Sequence, residues 1–184
     1  MLGMNYRSDL GPEKRVSYIS SMFSLFLRCF LVFMMPIAVL ALPWDASAQL
    51  LNRTTVFSKA SVSIASGEKT HKFRVELALT QQQHMQGLMY RRKLAADAGM
   101  LFVYQREAPI AMWMKNTYLP LDMLFIGRDG RIVKIAERTV PLSETTISSG
   151  VAAIAVLELN AGTASRLGVG SGDTVIAEAL GNAR

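Results

Sequence analysis

The sequence predicts a mainly β fold, a compact β-sandwich or partly open barrel, with one short helix over about residues 81–91. Three observations predict it. Apolar and polar residues alternate with a period of two, as in Phe73, Val75, Leu77 and Leu79 against Arg74, Glu76 and Ala78. Turn chemistry recurs at close intervals: Ser66-Gly67-Glu68-Lys69, Arg128-Asp129-Gly130 and Gly170-Ser171-Gly172-Asp173. Helical signals, by contrast, are confined to one capped segment and a single later turn.

Each element has its own justification. Val62 and Ile64 alternate with serines, and Phe73 to Leu79 is a half-buried strand by period. Thr80-Gln81-Gln82-Gln83 is a capping box, with Thr at the N-cap and Gln three residues on. The helix it opens puts Met85, Leu88 and Met89 on one face and fades near Arg92. After a loop at Lys93 to Ala98, Gly99 to Tyr104 and Ile110 to Met114 read as two buried strands. Asp122 to Gly127 and Arg131 to Glu137 flank Arg128-Asp129-Gly130 as a hairpin. Thr139 to Gly150 reads as a long polar loop, Val151 to Leu159 as an apolar strand, and Thr163 to Leu167 as one helical turn stopped by Gly168. A last strand runs from Thr174 to Leu180.

The N-terminal part has a different character. Lys14, Arg15 and Arg28 precede an unbroken apolar or Pro run from Cys29 to Leu42, and Ala46-Ser47-Ala48 supplies a small-x-small exit. Charged start, short apolar stretch and small-residue exit predict a secretory signal peptide over residues 1–48, cleaved after Ala48. Arg28, Pro36 and Pro43 argue against a retained membrane anchor, and Met22 is an alternative start. Residues 49–55 then form a tether and 56–184 a single β domain, exported to the periplasm or the extracellular space. The membrane enters only through the uncleaved segment.

Composition excludes several classes. Cleavage leaves 136 of the 184 residues, enough to bury about two thirds of the unfolded surface. The one cysteine departs with the signal, so the exported part has no disulfide or thiolate chemistry. The remaining charge is +5, a mild preference for anions, but no Lys/Arg cluster is interleaved with aromatics, so nucleic acid is not an expected partner. No HExxH, phosphate loop or Ser-His-Asp order stands out, and Gly168-Val169-Gly170 does not open a helix after a strand. No cofactor is expected.

Five blocks carry a resemblance: Gly87-Leu88-Met89 with Arg91, Gly99-Met100-Leu101-Phe102, Met112 to Thr117 with Pro120-Leu121-Asp122, Val156-Leu157-Glu158-Leu159 with Gly162, and Gly172-Asp173. In that order and spacing the chain resembles the family of domain of unknown function 192, from roughly Lys72 to Ile176. The resemblance implies a small, sandwich-like, mainly β domain, often exported, and no established reaction.

The candidate site lies around the corner that opens at Lys115. There an apolar stretch, Met112-Trp113-Met114, turns into Lys115-Asn116-Thr117 and re-enters an apolar run through Asp122. One reading is structural: the corner staples exposed backbone, Asp122 pairs with Lys115, and Glu158 sits on an exposed sheet face or pairs with Arg91. The functional reading is a polar pocket for a small anionic ligand or envelope component. In it Lys115 and Arg91 hold the anion, Asn116 orients it, and Asp122 and Glu158 fix the basic side chains. Two alternatives stand beside it. Asp122 and Glu158 form the acid/base pair of an envelope glycan hydrolase, or Met112 and Met114, with His84, hold Cu(I). His84 is otherwise expected to face solvent from the helix, and His71 to lie in a turn.

Overall fold

The computed structural model describes residues 55–183, so the expected signal segment and nearly all of the tether lie outside the described residues. Seven strands form: β1 (Ser58–Ser66), β2 (Lys69–Ala78), β3 (Ala98–Met112), β4 (Leu121–Ile126), β5 (Ile132–Ala136), β6 (Ile147–Asn160) and β7 (Thr174–Ala177). Two short helices, α1 (Gln81–Gln86) and α2 (Thr163–Leu167), and a 3-10 turn at Glu178–Leu180 complete the described chain. Among the described residues no helix is long and apolar enough to cross a membrane.

All seven strands belong to one sheet, in the order β5-β4-β6-β3-β2-β1-β7. Every paired neighbour is antiparallel except β2 and β3, which run parallel and are joined by the crossover carrying α1. The sheet curls until its outer strands approach. Arg131 bridges Thr174, Ile132 N–H donates to Asp173 O, and Val175 N–H donates to Gly130 O. Of the two expected architectures, the partly open barrel is the one that forms.

Two apolar clusters lie on the two faces of this sheet. Val62, Phe73, Leu101, Leu124, Ile132, Leu157 and Val175, one from each strand in turn, belong to the enclosed cluster. The outer cluster is narrower. Met100 and Phe102 of β3, Met123 and Phe125 of β4 and Val156 of β6 are covered by Leu88 and Met114 from the connections. Period-two alternation assigns each strand residue to one face or the other.

Several boundaries differ from expectation for identifiable reasons. The helix predicted to reach residue 91 stops at Gln86, because Gly87 turns the backbone to φ +45°. The capping box is present as read, Thr80 Oγ1 accepting from Gln83 N–H while Gln83 Oε1 accepts from Thr80 N–H. The two strands expected at Gly99 to Tyr104 and Ile110 to Met114 are one 15-residue strand, whose pairing with β6 shifts register between Val103 and Ala108 and between Pro109 and Ala111. It ends at Met112, so Met114 is not on it. The polar loop is shorter than expected because β6 begins at Ile147, and the last strand ends at Ala177. His71 lies within β2 opposite Ile64, not in a turn.

Candidate functional site

The outer face of the sheet builds the site. Glu158 of β6 lies directly between Met100 of β3 and Met123 of β4, and directly paired residues share a face. Its side chain therefore enters the outer apolar cluster, and it is only 4% exposed. Gly99 permits the close strand approach at this point. A Cβ there would stand 2.5 Å from the Glu158 carbonyl oxygen.

Above Glu158, α1, the turn that follows it and the 113–117 corner enclose a cavity of about 480 Å³. Phe102, Tyr104 and Met112 of β3 form one wall, His84, Gly87 and Met89 a second, and Trp113, Lys115 and Asn116 the mouth. Local geometry holds each wall. A Cβ on Gly87 would lie 3.2 Å from the Phe102 ring, so only a glycine lets the turn settle there without displacing the ring. Asn116 takes the left-handed conformation at φ +54°, its carbonyl accepts from Tyr90 N–H at 2.9 Å, and its amide reaches Met89 Sδ at 3.9 Å. Thr117 N–H donates to Met114 O, and Leu142 N–H to Thr117 O. Tyr90 (φ +63°) and Leu142 (φ +62°) are also left-handed, so three strained non-glycine residues meet at this corner.

The electrostatics are unusual. Among the described residues the Glu158 carboxyl accepts no hydrogen bond and forms no ion pair; burial alone acts on it and pushes its pKa up to about 8. Tyr104 shares the cavity, and desolvation together with the charge of Glu158 pushes its phenol up to about 12. The Tyr104 hydroxyl contacts Met112 Sδ at 3.5 Å and its ring lies 4.5 Å from that of His84. His84 is half-buried, with Nε2 2.9 Å from Ala78 O, so it does not face solvent as expected. Lys115 sits at the mouth, its Nζ 5.1 Å from the Trp113 ring centroid and 3.5 Å from Glu144 Oε1.

Of the five expected ligand-binding residues, Lys115, Asn116 and Glu158 line this cavity, and Arg91 and Asp122 do not. Arg91 is bound in a two-pronged pair to Glu76, at 2.5 and 2.7 Å, and covers the Phe57 ring. That hydrogen-bonded partner holds the Glu76 carboxyl below the usual range and raises Arg91. Asp122 is fully buried, and its carboxylate accepts from the backbone N–H groups of Arg138, Gly162 and Ala164, each at 2.9 Å. It anchors the start of β4 to two connections and does not pair with Lys115. The acids therefore do not fix the basic side chains.

The same placement separates the proposed hydrolytic pair. Asp122 is opposite Leu159 and Glu158 opposite Met123, so the two carboxyls point to opposite faces of the sheet. The methionine set is divided as well. Met112 and His84 line the cavity, whereas Met114 is fully buried with its sulfur 3.2 Å from Thr139 Oγ1. Among the described residues no three His, Cys, Asp or Glu side chains cluster for a metal ion. Sequence reading missed Tyr104, although Met100, Phe102 and Tyr104 alternate on one face. Met89 and Trp113 were read only as core or strand residues.

A family model, domain of unknown function 192, described as "Uncharacterized ACR", matches residues 62–177. The chain belongs to that family. The matched stretch of this DUF192 domain contains every cavity residue named above. A crystal structure from Sinorhizobium meliloti 1021, named a "putative transcription regulator", is 50% identical, with a TM-score of 0.67, and the match covers 68% of this chain and 98% of that one. A protein of unknown function from Novosphingobium aromaticivorans DSM 12444 is 35% identical, with a TM-score of 0.63, over 67% of this chain and 94% of that one. No curated protein matches.

Proposed function

We propose that this DUF192 chain is an exported, single-domain binding module of the cell envelope, which takes a small ligand in the Glu158 cavity. The observation that carries the reading is Glu158 itself. Glu158 is only 4% exposed, and its carboxyl, with no protein donor among the described residues, costs the fold stability and faces a cavity. Such a group is satisfied by a ligand. Apolar and aromatic walls with a few convergent polar groups, in a volume of about 480 Å³, fit that use. The strained corner at Tyr90, Asn116 and Leu142 adds support, since strain of this kind collects at binding sites.

The anionic part of the ligand belongs at the mouth. Lys115 is the cavity's cation, Asn116 lies beside it, and the buried acid makes the floor unfit for a second negative charge. The export part of the reading rests on the charged start, the apolar run and Ala46-Ser47-Ala48. N-terminal sequencing of the exported protein is expected to begin at Gln49. A full-length chain retained in the membrane fraction overturns export as a processed protein.

The test of the cavity is a fragment screen followed by NMR on the wild type. Binding fragments are expected to shift the resonances of Tyr104, Met112, Trp113 and Asn116 together. A screen in which no fragment perturbs these residues overturns the reading.

A further inference from the structure

The floor and the mouth of the cavity differ in what they lack. At the mouth Lys115 already has Glu144 and the Trp113 face. At the floor Glu158 has, among the described residues, neither a donor nor a counter-cation. The elements packed around it contribute Met100 and Tyr104 from β3, Met123 from β4, and His84 and Met89 from α1 and its exit turn. The Tyr104 hydroxyl is turned to the Met112 sulfur, and His84 Nε2 to the Ala78 carbonyl. Arg91, which does not line the cavity, is held by Glu76. Beside the amides of Gln81 and Gln86, the rest of the lining includes the Phe102 and Trp113 rings and the Met85, Met89 and Met112 thioethers, whose electron-rich faces favour a cation over an anion.

We infer that the cavity takes a small amphipathic amine, its ammonium seated on the Glu158 carboxylate among Tyr104, Met89 and Met112, and any acidic group of the ligand at the mouth by Lys115. This rests on the small-ligand reading above and specifies its ligand class. An ammonium offers several N–H donors and a positive charge at once, which are what the isolated carboxyl lacks. The recognition is charge-complementary along the cavity: cation to the buried acid, anion to the rim lysine.

The chemistry gives a distinctive signature. Burial raises the Glu158 pKa to about 8, so near neutrality the acid is mostly protonated before a ligand binds. Seating an ammonium requires the carboxylate, and the Glu158 proton leaves to solvent. Binding therefore releases close to one proton at pH 6 to 7 and strengthens about tenfold per pH unit until the acid is ionised in the free protein. A neutral ligand that accepts a hydrogen bond from the protonated acid releases none and weakens as pH rises. Tyr104, His84 and Lys115 also face the cavity, so the assignment to Glu158 is made with a variant.

The experiment is calorimetry on the wild-type domain with a graded series of alkylammonium ions, ω-amino acids and the matching alkanols, in buffers of different ionisation enthalpy. The expected result is proton release with the amines, tighter binding at higher pH, and loss of more than tenfold in affinity in Glu158→Gln. The wild-type proton count does not depend on that variant folding. Alkanols that bind while amines do not, or amines that bind without proton release, overturn the amine assignment and leave the small-ligand reading standing. If neither series binds and the fragment screen is also silent, both fall.

Discussion

At the scale of single residues the fold spends its polar groups in two different ways. Asp122 and Glu158 are both buried acids in apolar strands, yet the first receives three backbone N–H donors and the second none among the described residues. The contrast makes Glu158 a measurable liability. Its pKa is raised from 4.5 in the ordinary carboxyl to about 8 in the folded state, so the native protein binds more protons than the unfolded chain between these values. Its contribution to stability is then present below pH 4.5 and lost as pH rises to about 8, a total of about 5 kcal/mol. Urea denaturation of wild type and Glu158→Gln across pH 5 to 8 checks this. The wild type is expected to lose stability relative to the variant as pH rises, and parallel curves refute the assignment. The Glu76–Arg91 pair acts with the opposite sign, at lower pH, and cancels in the comparison. Lys115 behaves differently again. With 40% of its side chain exposed and its partner Glu144 at 62%, Lys115→Met is expected to change stability by less than about 1 kcal/mol in a thermal melt. The sequence allowed a stapling role for Lys115 because it could not show that Asp122 faces the other side of the sheet.

At the scale of elements, local chemistry was legible and long-range consequences were not. The capping box at Thr80, the hairpin at Arg128 to Gly130 and the turn stopped by Gly168 all depend on neighbours in the chain, and each forms where the residues place it. The helix stops short of its predicted end because the glycine at 87 fits against the Phe102 ring 15 positions away. β3 was divided because Gln105 to Ala108 has no apolar alternation, while its continuity comes from bulged pairing with β6. Of the candidate site, the polar corner and Glu158 could be read from their contrast with apolar surroundings. The crossover between β2 and β3, which lays α1 over the sheet and makes the cavity, leaves no local signal. Gly99 joins the two levels. Its missing side chain lets β3 approach β6 beside Glu158, so Gly99→Ala drives a methyl into the Glu158 carbonyl at 2.5 Å. Overpacking of this kind is expected to cost about 1–3 kcal/mol in urea denaturation and to move the Glu158 resonance in NMR. A fully stable Gly99→Ala domain with an unmoved Glu158 contradicts the close approach.

At the scale of the whole molecule, one curled sheet separates two apolar clusters that have different duties. The enclosed cluster draws side chains from all seven strands and from α2, and it holds the barrel together whether or not a ligand is present. The outer cluster is shared between packing and the cavity, since Phe102 and Leu88 both belong to it and line the cavity. Leu157 and Phe102 therefore make a matched pair for testing the division. Both are almost completely buried, in neighbouring strands of the same sheet but on opposite faces. Truncation to Ala removes packing and leaves a cavity in either case, at a cost of about 2–5 kcal/mol, read from chemical denaturation. Their effects on binding should part. Leu157→Ala opens a space inside the barrel, while the ladder to β3 and β4 keeps Glu158 in register, so fragment affinity at the cavity is expected to be retained in the folded protein. Phe102→Ala removes a cavity wall and the support under Gly87, so affinity is expected to fall more than tenfold, about 1.4 kcal/mol. Equal losses of affinity in the two variants, measured where both remain folded, contradict the division and make the site a property of the entire barrel.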